Sequence, residues 1–201
     1  MLTVLTGRSR RLWPRVLEEI GLARAQGARH LLLITPDQYT LQAELDLVDK
    51  LNLPGLLEIE VLSPSRLLTR VFSLAGSPQR VRIDGRGKAM MLSDVLNTSR
   101  EALAYYGGAA GRRGFAEKLA ASIGDFKRAG KTPEDMLAMA EALPREDALR
   151  GKLEDIALLY ERYEERLAGA FIDGEDAQEA LLERLPASGI LKDARIWVFG
   201  F

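Results

Sequence analysis

Short apolar runs alternate with helical periodicity over the first third of the chain. Leu2-Thr-Val-Leu-Thr6 reads as a strand, followed by Gly7 and a helix from about Arg11 to Gln26 that Gly27 punctuates. His30-Leu-Leu-Leu-Ile-Thr35 is continuously apolar in its middle, as expected of a strand covered on both faces of a sheet. Pro36 then opens a helix to about Lys50, since its fixed φ and missing N–H suit the first helical position. Asn52-Leu-Pro-Gly55 is a turn, and Leu57-Glu-Ile-Glu-Val-Leu62 is a third strand. Ser63 caps a further helix that starts with Pro64 and extends to about Ala75. Strand–helix alternation of this kind predicts an α/β fold with a parallel sheet and right-handed crossovers.

From Gly87 to about Leu185 the helical period takes over. Leu119, Ile123 and Phe126 fall on one face, as do Leu153, Ile156, Leu159, Tyr160 and Tyr163. Gly107-Gly-Ala-Ala-Gly-Arg-Arg-Gly114 interrupts this region. Thr132-Pro-Glu-Asp135 is a cap, an N1 proline and first-turn acids, which together start a helix. Asp173-Gly-Glu-Asp176 reads as another cap; as a calcium loop it has its bidentate Glu out of place. Ala194-Arg-Ile-Trp-Val-Phe199 returns to strand character. The expected organisation is a first α/β part over 1–86, an all-helical insertion over 87–190 and a returning strand over 191–201. The chain is expected to be an N-terminal fragment of a longer protein, because a domain seldom stops on a strand with nothing to cover it.

Composition narrows the chemistry. With no cysteine, disulfides, thiolate metal sites and cysteine nucleophiles are all removed, which fits a reducing compartment. No apolar run approaches the ~20 residues of a membrane helix, and the N-terminus runs from apolar to basic, the reverse of a secretory signal. A cytoplasmic chain with no membrane partner is expected. The formal charge of −1 conceals an asymmetry, +7 over residues 1–131 and −8 over 132–201. That pattern is compatible with a polyanion contacting one side only.

The strand–Gly7–helix corner is where a phosphate-binding loop would lie, its backbone N–H groups and a lysine surrounding phosphates while a hydroxyl holds magnesium. The required G-x4-G-K-[ST] is degenerate here: after Gly7, Arg8 and Ser9, the second glycine, the lysine and the hydroxyl are absent, and Trp13-Pro14 would crowd the site. Arg8, Arg10, Arg11 and Arg15 could still attract an anion, but no bound Mg-ATP is expected. Gly85-Arg-Gly87-Lys88 reads as a turn into a helix. His30, the single histidine, has no histidine or cysteine partner for a metal, and no catalytic residue is assigned. Trp13 and Trp197 fit a core or interface.

Two loops remain, both at the carboxyl edge where open α/β sheets bind ligands. One contains Thr35, Gln38 and Thr40; the other contains Ser63, Ser65 and Arg66, with Arg70 one turn on. Hydroxyls, amides, helix N-termini and arginine are the groups that contact a nucleic-acid backbone.

The order of these motifs resembles a family. I-T-P-x-Q-x-T-x-Q-x-E over Ile34–Glu44 and E-V-L-S-x-S-R-L-x-x-R-V over Glu60–Val71 are similar to the N-terminal region of AddB, a subunit of the bacterial AddAB helicase–nuclease. So are Gly87-Lys-Ala-Met90, Gly124-Asp-Phe-Lys-Arg128, Lys152-Leu-x-Asp-Ile156 with Tyr160 and Tyr163, and Ile196-Trp-Val-Phe-Gly-Phe201. The resemblance implies a P-loop NTPase-like, superfamily 1 helicase-like sheet interrupted by a helical subdomain. It implies a subunit that reads single-stranded or duplex DNA, including a recombination signal, while an AddA-type motor–nuclease partner supplies ATP-driven movement. The iron–sulfur cluster and magnesium of the family belong to a distant nuclease domain, so no cofactor is expected in these residues. By the same resemblance, Thr35, Gln38 and Thr40 match one strand-contacting segment, and Ser63, Ser65 and Arg66 match the next.

Three positions depart from the family pattern. The phosphate loop is incomplete, Pro64 stands where an aromatic residue is common, and Val198-Phe-Gly-Phe201 replaces the acidic pair that holds magnesium in active helicases. The first and third agree with a DNA-contacting domain that does not hydrolyse ATP itself, within a complex for break repair and recombination. The competing expectations are a nucleotide-hydrolysing P-loop domain built on Gly7, and a helical scaffold that docks the motor subunit.

Overall fold

A computed structural model of the chain describes residues 2–109, 111–112 and 114–201. It divides into two compact units, one of residues up to Ser77 together with Leu181–Phe201, the other Pro78–Ala180.

In the first unit α1 (Ser9–Ala25) leads to β1 (Leu31–Ile34), α2 (Thr40–Lys50), β2 (Ile59–Leu62) and α3 (Pro64–Ala75). Val16, Leu17, Ile20 and Ala23 line one side of α1 and pack on Leu31 and Leu33 of β1, with Ala43 and Leu47 of α2 completing that layer. Leu32 is equally buried and, by strand alternation, faces the other way. Burial on both faces explains why the β1 run is uninterrupted in hydrophobicity. β1 pairs in parallel with β2, Ile34 opposite Leu62.

Two expectations change here. Leu2–Thr6 forms no strand: Leu2 is 88% and Val4 73% exposed, and the segment lies along a cavity of about 520 Å³ shared with Ile196–Phe201. Its alternation suits a strand, but it makes no ladder hydrogen bonds, and pairing is what makes a strand hold. The helix expected from Pro36 begins instead as a 3-10 turn over Asp37–Tyr39, with Tyr39 N–H donating to the Pro36 carbonyl at 2.9 Å.

The second unit contains β3 (Val81–Arg82), α4 (Gly85–Ser99), α5 (Phe115–Arg128), α6 (Pro133–Glu141), α7 (Ala148–Leu167), β4 (Phe171–Ile172) and the start of α8 (Gly174–Ser188). Leu92, Val95 and Leu96 of α4 meet Leu119 and Ile123 of α5 and Leu159, Tyr160, Tyr163 and Leu167 of α7 in one apolar core. α6 packs along α7. The region is not wholly helical, because β3 and β4 pair in parallel, Val81 opposite Phe171 and Arg82 opposite Ile172. Two-residue strands are too short for periodicity to reveal them. This unit begins at Pro78, before the expected boundary at 87, and ends at Ala180, before 190.

After α8 the chain returns to the first unit as β5 (Arg195–Val198), which pairs in parallel with β1 and completes the order β2-β1-β5. Among the described residues no helix is long and apolar enough to cross a membrane.

Candidate nucleic-acid interface

Parallel pairing of β1 with β2 sets the two expected loops side by side. Thr35 N–H donates to the Leu62 carbonyl at 2.9 Å, so the chain leaves the sheet at neighbouring points. Ser63 caps α3, its Oγ accepting the Arg66 N–H at 3.2 Å, as the Ser-Pro start predicts. Ser63 Oγ also lies 3.0 Å from Ser65 Oγ, and Ser65 donates to the carboxylate of Asp37. Hydrogen bonds from Ser63 and Ser65, aided by the Arg66 charge, hold the Asp37 carboxyl below its ordinary value. Thr40 Oγ1 donates to the Asp37 carbonyl at 3.0 Å. A hydroxyl–carboxylate latch therefore joins the loops, and Asp37, at its centre, is a residue the motif reading passed over.

Of the seven expected contact residues, Gln38, Ser65, Arg66 and Arg70 reach solvent, whereas Thr35, Thr40 and Ser63 are buried. Thr35 Oγ1 is fully buried and has no hydrogen-bond partner among the described residues. The positive charge expected of the arginines is also offset. Arg66 pairs with Glu44 of α2 and reaches the Val61 carbonyl at 3.5 Å, and Arg70 pairs with Glu60 of β2 at 2.9 Å. Neither carboxylate is close in sequence to its arginine's motif, so only the packing of α2, β2 and α3 reveals the offset.

At the Gly7 corner α1 begins immediately, with Arg8 as its extended N-cap and no side-chain cap. Ser9 opens the helix; its side chain lies outside the described residues. The Leu12 side chain stands 3.5 Å from where a Cβ on Gly7 would be, an ordinary van der Waals contact, and both residues border the cavity shared with Ile196–Phe201. Trp13 turns inward, donating to Asp46 at 2.6 Å, with its ring 4.9 Å from Phe199 and 5.5 Å from Tyr39. Arg15 pairs with Glu18 and Glu19. Arg8, Arg10 and Arg11 are exposed and form no ion pair among the described residues.

In the helical unit, Gly85–Lys88 does open a helix, capped by Asp84 accepting the Gly87 N–H at 2.8 Å, but Lys88 is buried. Its ammonium lies 3.3 Å from Asp173 and 3.0 Å from Glu175. Lys127 reaches Glu164, Asp173 and Asp176 at 2.7, 3.0 and 2.7 Å, and Tyr163 donates to Asp173 at 2.9 Å. Burial works against the Lys127 charge, yet the hydrogen bonds to Asp176 and Glu164 and the Asp173 charge outweigh it and hold its pKa above the ordinary lysine value. Asp173 follows the same logic in reverse: burial opposes its charge, but the Asp176 amide and both lysines keep it ionised below the usual range. Burial pushes the Tyr160 hydroxyl up to about 12, with the Glu164 charge adding to it. Every charge in this cluster has a partner, which is the arrangement of a structural staple.

The sheet and its inserted helical unit define an α/β protein in which a strand laid down at the end of the chain joins the edge of a parallel sheet begun near the start. The family model described as ADDB, N-terminal matches residues 5–201, and the chain belongs to that family. Its relatives include the B subunit of the ATP-dependent helicase/deoxyribonuclease of Alkaliphilus metalliredigens, 40% identical over 85% of this chain, and that of Moorella thermoacetica, 39% identical over 92%. The protein of the same name from Desulforudis audaxviator is 37% identical over 98% of the chain. The chain spans only 15% to 17% of the length of these relatives.

Proposed function

We propose that this chain is a DNA-contacting, helicase-like domain of an AddB-type subunit, acting in a break-processing complex without hydrolysing ATP itself. In this reading the sheet is of the superfamily 1 helicase kind, and an AddA-type partner carries the motor. The observation that carries it is the Ile34–Leu62 pairing, which gathers Gln38, Ser65, Arg66 and Arg70 at one solvent-facing edge of the sheet. Family membership and the phosphate motif left incomplete after Gly7 support it. Contact would run through the phosphodiester backbone, with a phosphate competing against Glu44 for the Arg66 guanidinium.

Fluorescence anisotropy with labelled single-stranded DNA across a salt series tests this. Affinity should fall steeply as salt rises. Arg66→Ala should weaken binding and Glu44→Gln should strengthen it, since the latter releases the arginine. A folded chain with no detectable binding at low salt, or the opposite order of the two variants, would sink the proposal.

A further inference from the structure

Between α4 and α5 the chain carries Tyr105 and Tyr106 ahead of its glycine-rich stretch. Asp155 of α7, only 3% exposed, accepts the N–H groups of Ala104, Tyr105 and Tyr106 at 2.9, 2.8 and 2.7 Å. Among the described residues it makes no ion pair, so three amides compensate a buried carboxylate and in return fix the backbone that bears both rings. Gly107 tightens the turn, because a Cβ there would stand 2.9 Å from the Arg100 carbonyl oxygen. Gly114, at φ 79°, takes the left-handed conformation that lets the chain enter α5.

These constraints hold an aromatic wall. Tyr106 is half-buried, its ring 5.2 Å from Phe115 and 5.0 Å from Tyr105, which it meets edge-on. Tyr105 is 50% exposed, and the Lys152 ammonium sits 4.8 Å from its ring centroid. Together with Arg112 and Lys118, both exposed and without an ion pair among the described residues, the rings line a cavity of about 520 Å³. Among the described residues no carboxylate lines it. Aromatic rings beside uncompensated cations suit a ligand that is itself both flat and anionic.

We propose that this cavity takes a base of single-stranded nucleic acid, stacked on Tyr105, with Arg112 and Lys118 facing the flanking phosphates. The inference takes its ligand class from the proposed function but none of its residues. The test measures the whole chain against three probes: a labelled oligothymidylate about 12 nucleotides long, an abasic backbone of equal length, and thymidine monophosphate as competitor. Tyr105→Leu should weaken oligothymidylate binding about tenfold, the scale of stacking one base on an aromatic ring, and Tyr105→Trp should restore it. Abasic binding should ignore Tyr105→Leu and fall in an Arg112→Gln, Lys118→Gln variant, whose exposed positions leave folding intact. A leucine variant within twofold of the parent overturns the inference, as does competition by the mononucleotide at the affinity of the oligomer. If Arg66→Ala abolishes binding while Tyr105→Leu does not, this inference fails alone. If Tyr105→Leu weakens binding while Arg66→Ala and Glu44→Gln change nothing, the reading of the β1–β2 loops fails alone.

Discussion

Lys127 has the most demanding position of any cation in the helical unit, since it serves three carboxylates from α5 at once. Replacing it with methionine keeps the stem and leaves Asp173 to Lys88, with Glu164 and Asp176 unpaired. Lys127→Met is expected to cost about 3 kcal/mol, the scale of breaking a buried ion pair from one side, read by chemical denaturation. The pH dependence has a definite sign. Asp173 is held below its ordinary value in the folded chain, so its contribution is present above the carboxylate range and is lost as pH falls through that lowered value. Lys127, held above its ordinary value, contributes below the lysine range and gives that up only at more alkaline pH. Glu164, pushed up by burial, acts in the opposite direction to Asp173 in acid. Asp173→Asn should flatten the acid limb of stability against pH, read from thermal midpoints across that range. None of this was legible along the chain. Lys88 and Asp173 are 85 residues apart, and a lysine on an amphipathic helix reads as solvated until the partner helix is in place. Asp155 is a similar case: its spacing marks it as one face of α7, while its three amide partners come from the loop after α4.

At the scale of elements the local code was most readable where a cap states where a helix begins. Ser63-Pro64 and Thr132-Pro133 both start helices as their side chains dictate, and Thr132 forms a reciprocal capping box with Asp135. Thr132→Ala should therefore cost about 1 kcal/mol, seen as a lower thermal midpoint with unchanged helical content at low temperature. Asp173 likewise accepts the Asp176 N–H at 3.0 Å at the start of α8. Strands are less legible, because a strand is stabilised by a neighbour that periodicity does not name. β1 declared itself through an unbroken apolar run, whereas Leu2–Thr6 has the alternation without the ladder, and Val81–Arg82 has the ladder without the alternation. The aromatic wall left one trace, the adjacent tyrosines before a run of glycines, and periodicity treats that trace as a break between helices.

For the molecule as a whole, the phosphate motif after Gly7 lacks its second glycine, its lysine and its hydroxyl. Isothermal titration with Mg-ATP at micromolar concentration is expected to give no binding heat; heat there would favour the hydrolytic reading and contradict the proposed one. The loops at the carboxyl edge were found from their residue types and their place after strands. What those residue types did not disclose is that three of the seven side chains point into the protein and that Glu44 and Glu60 hold both arginines.

Sequence alone determined the strands β1, β2 and β5, the capped helix starts, the parallel class of the sheet and the family, because each of these is written in short-range pattern or in the order of motifs. Tertiary structure decided which hydroxyls are buried, which cations are paired and that Tyr105, Arg112 and Phe115 share a cavity wall. The physical reason is that charge compensation and ring packing depend on distance in space, and here the groups concerned lie on separate elements whose approach no local preference encodes.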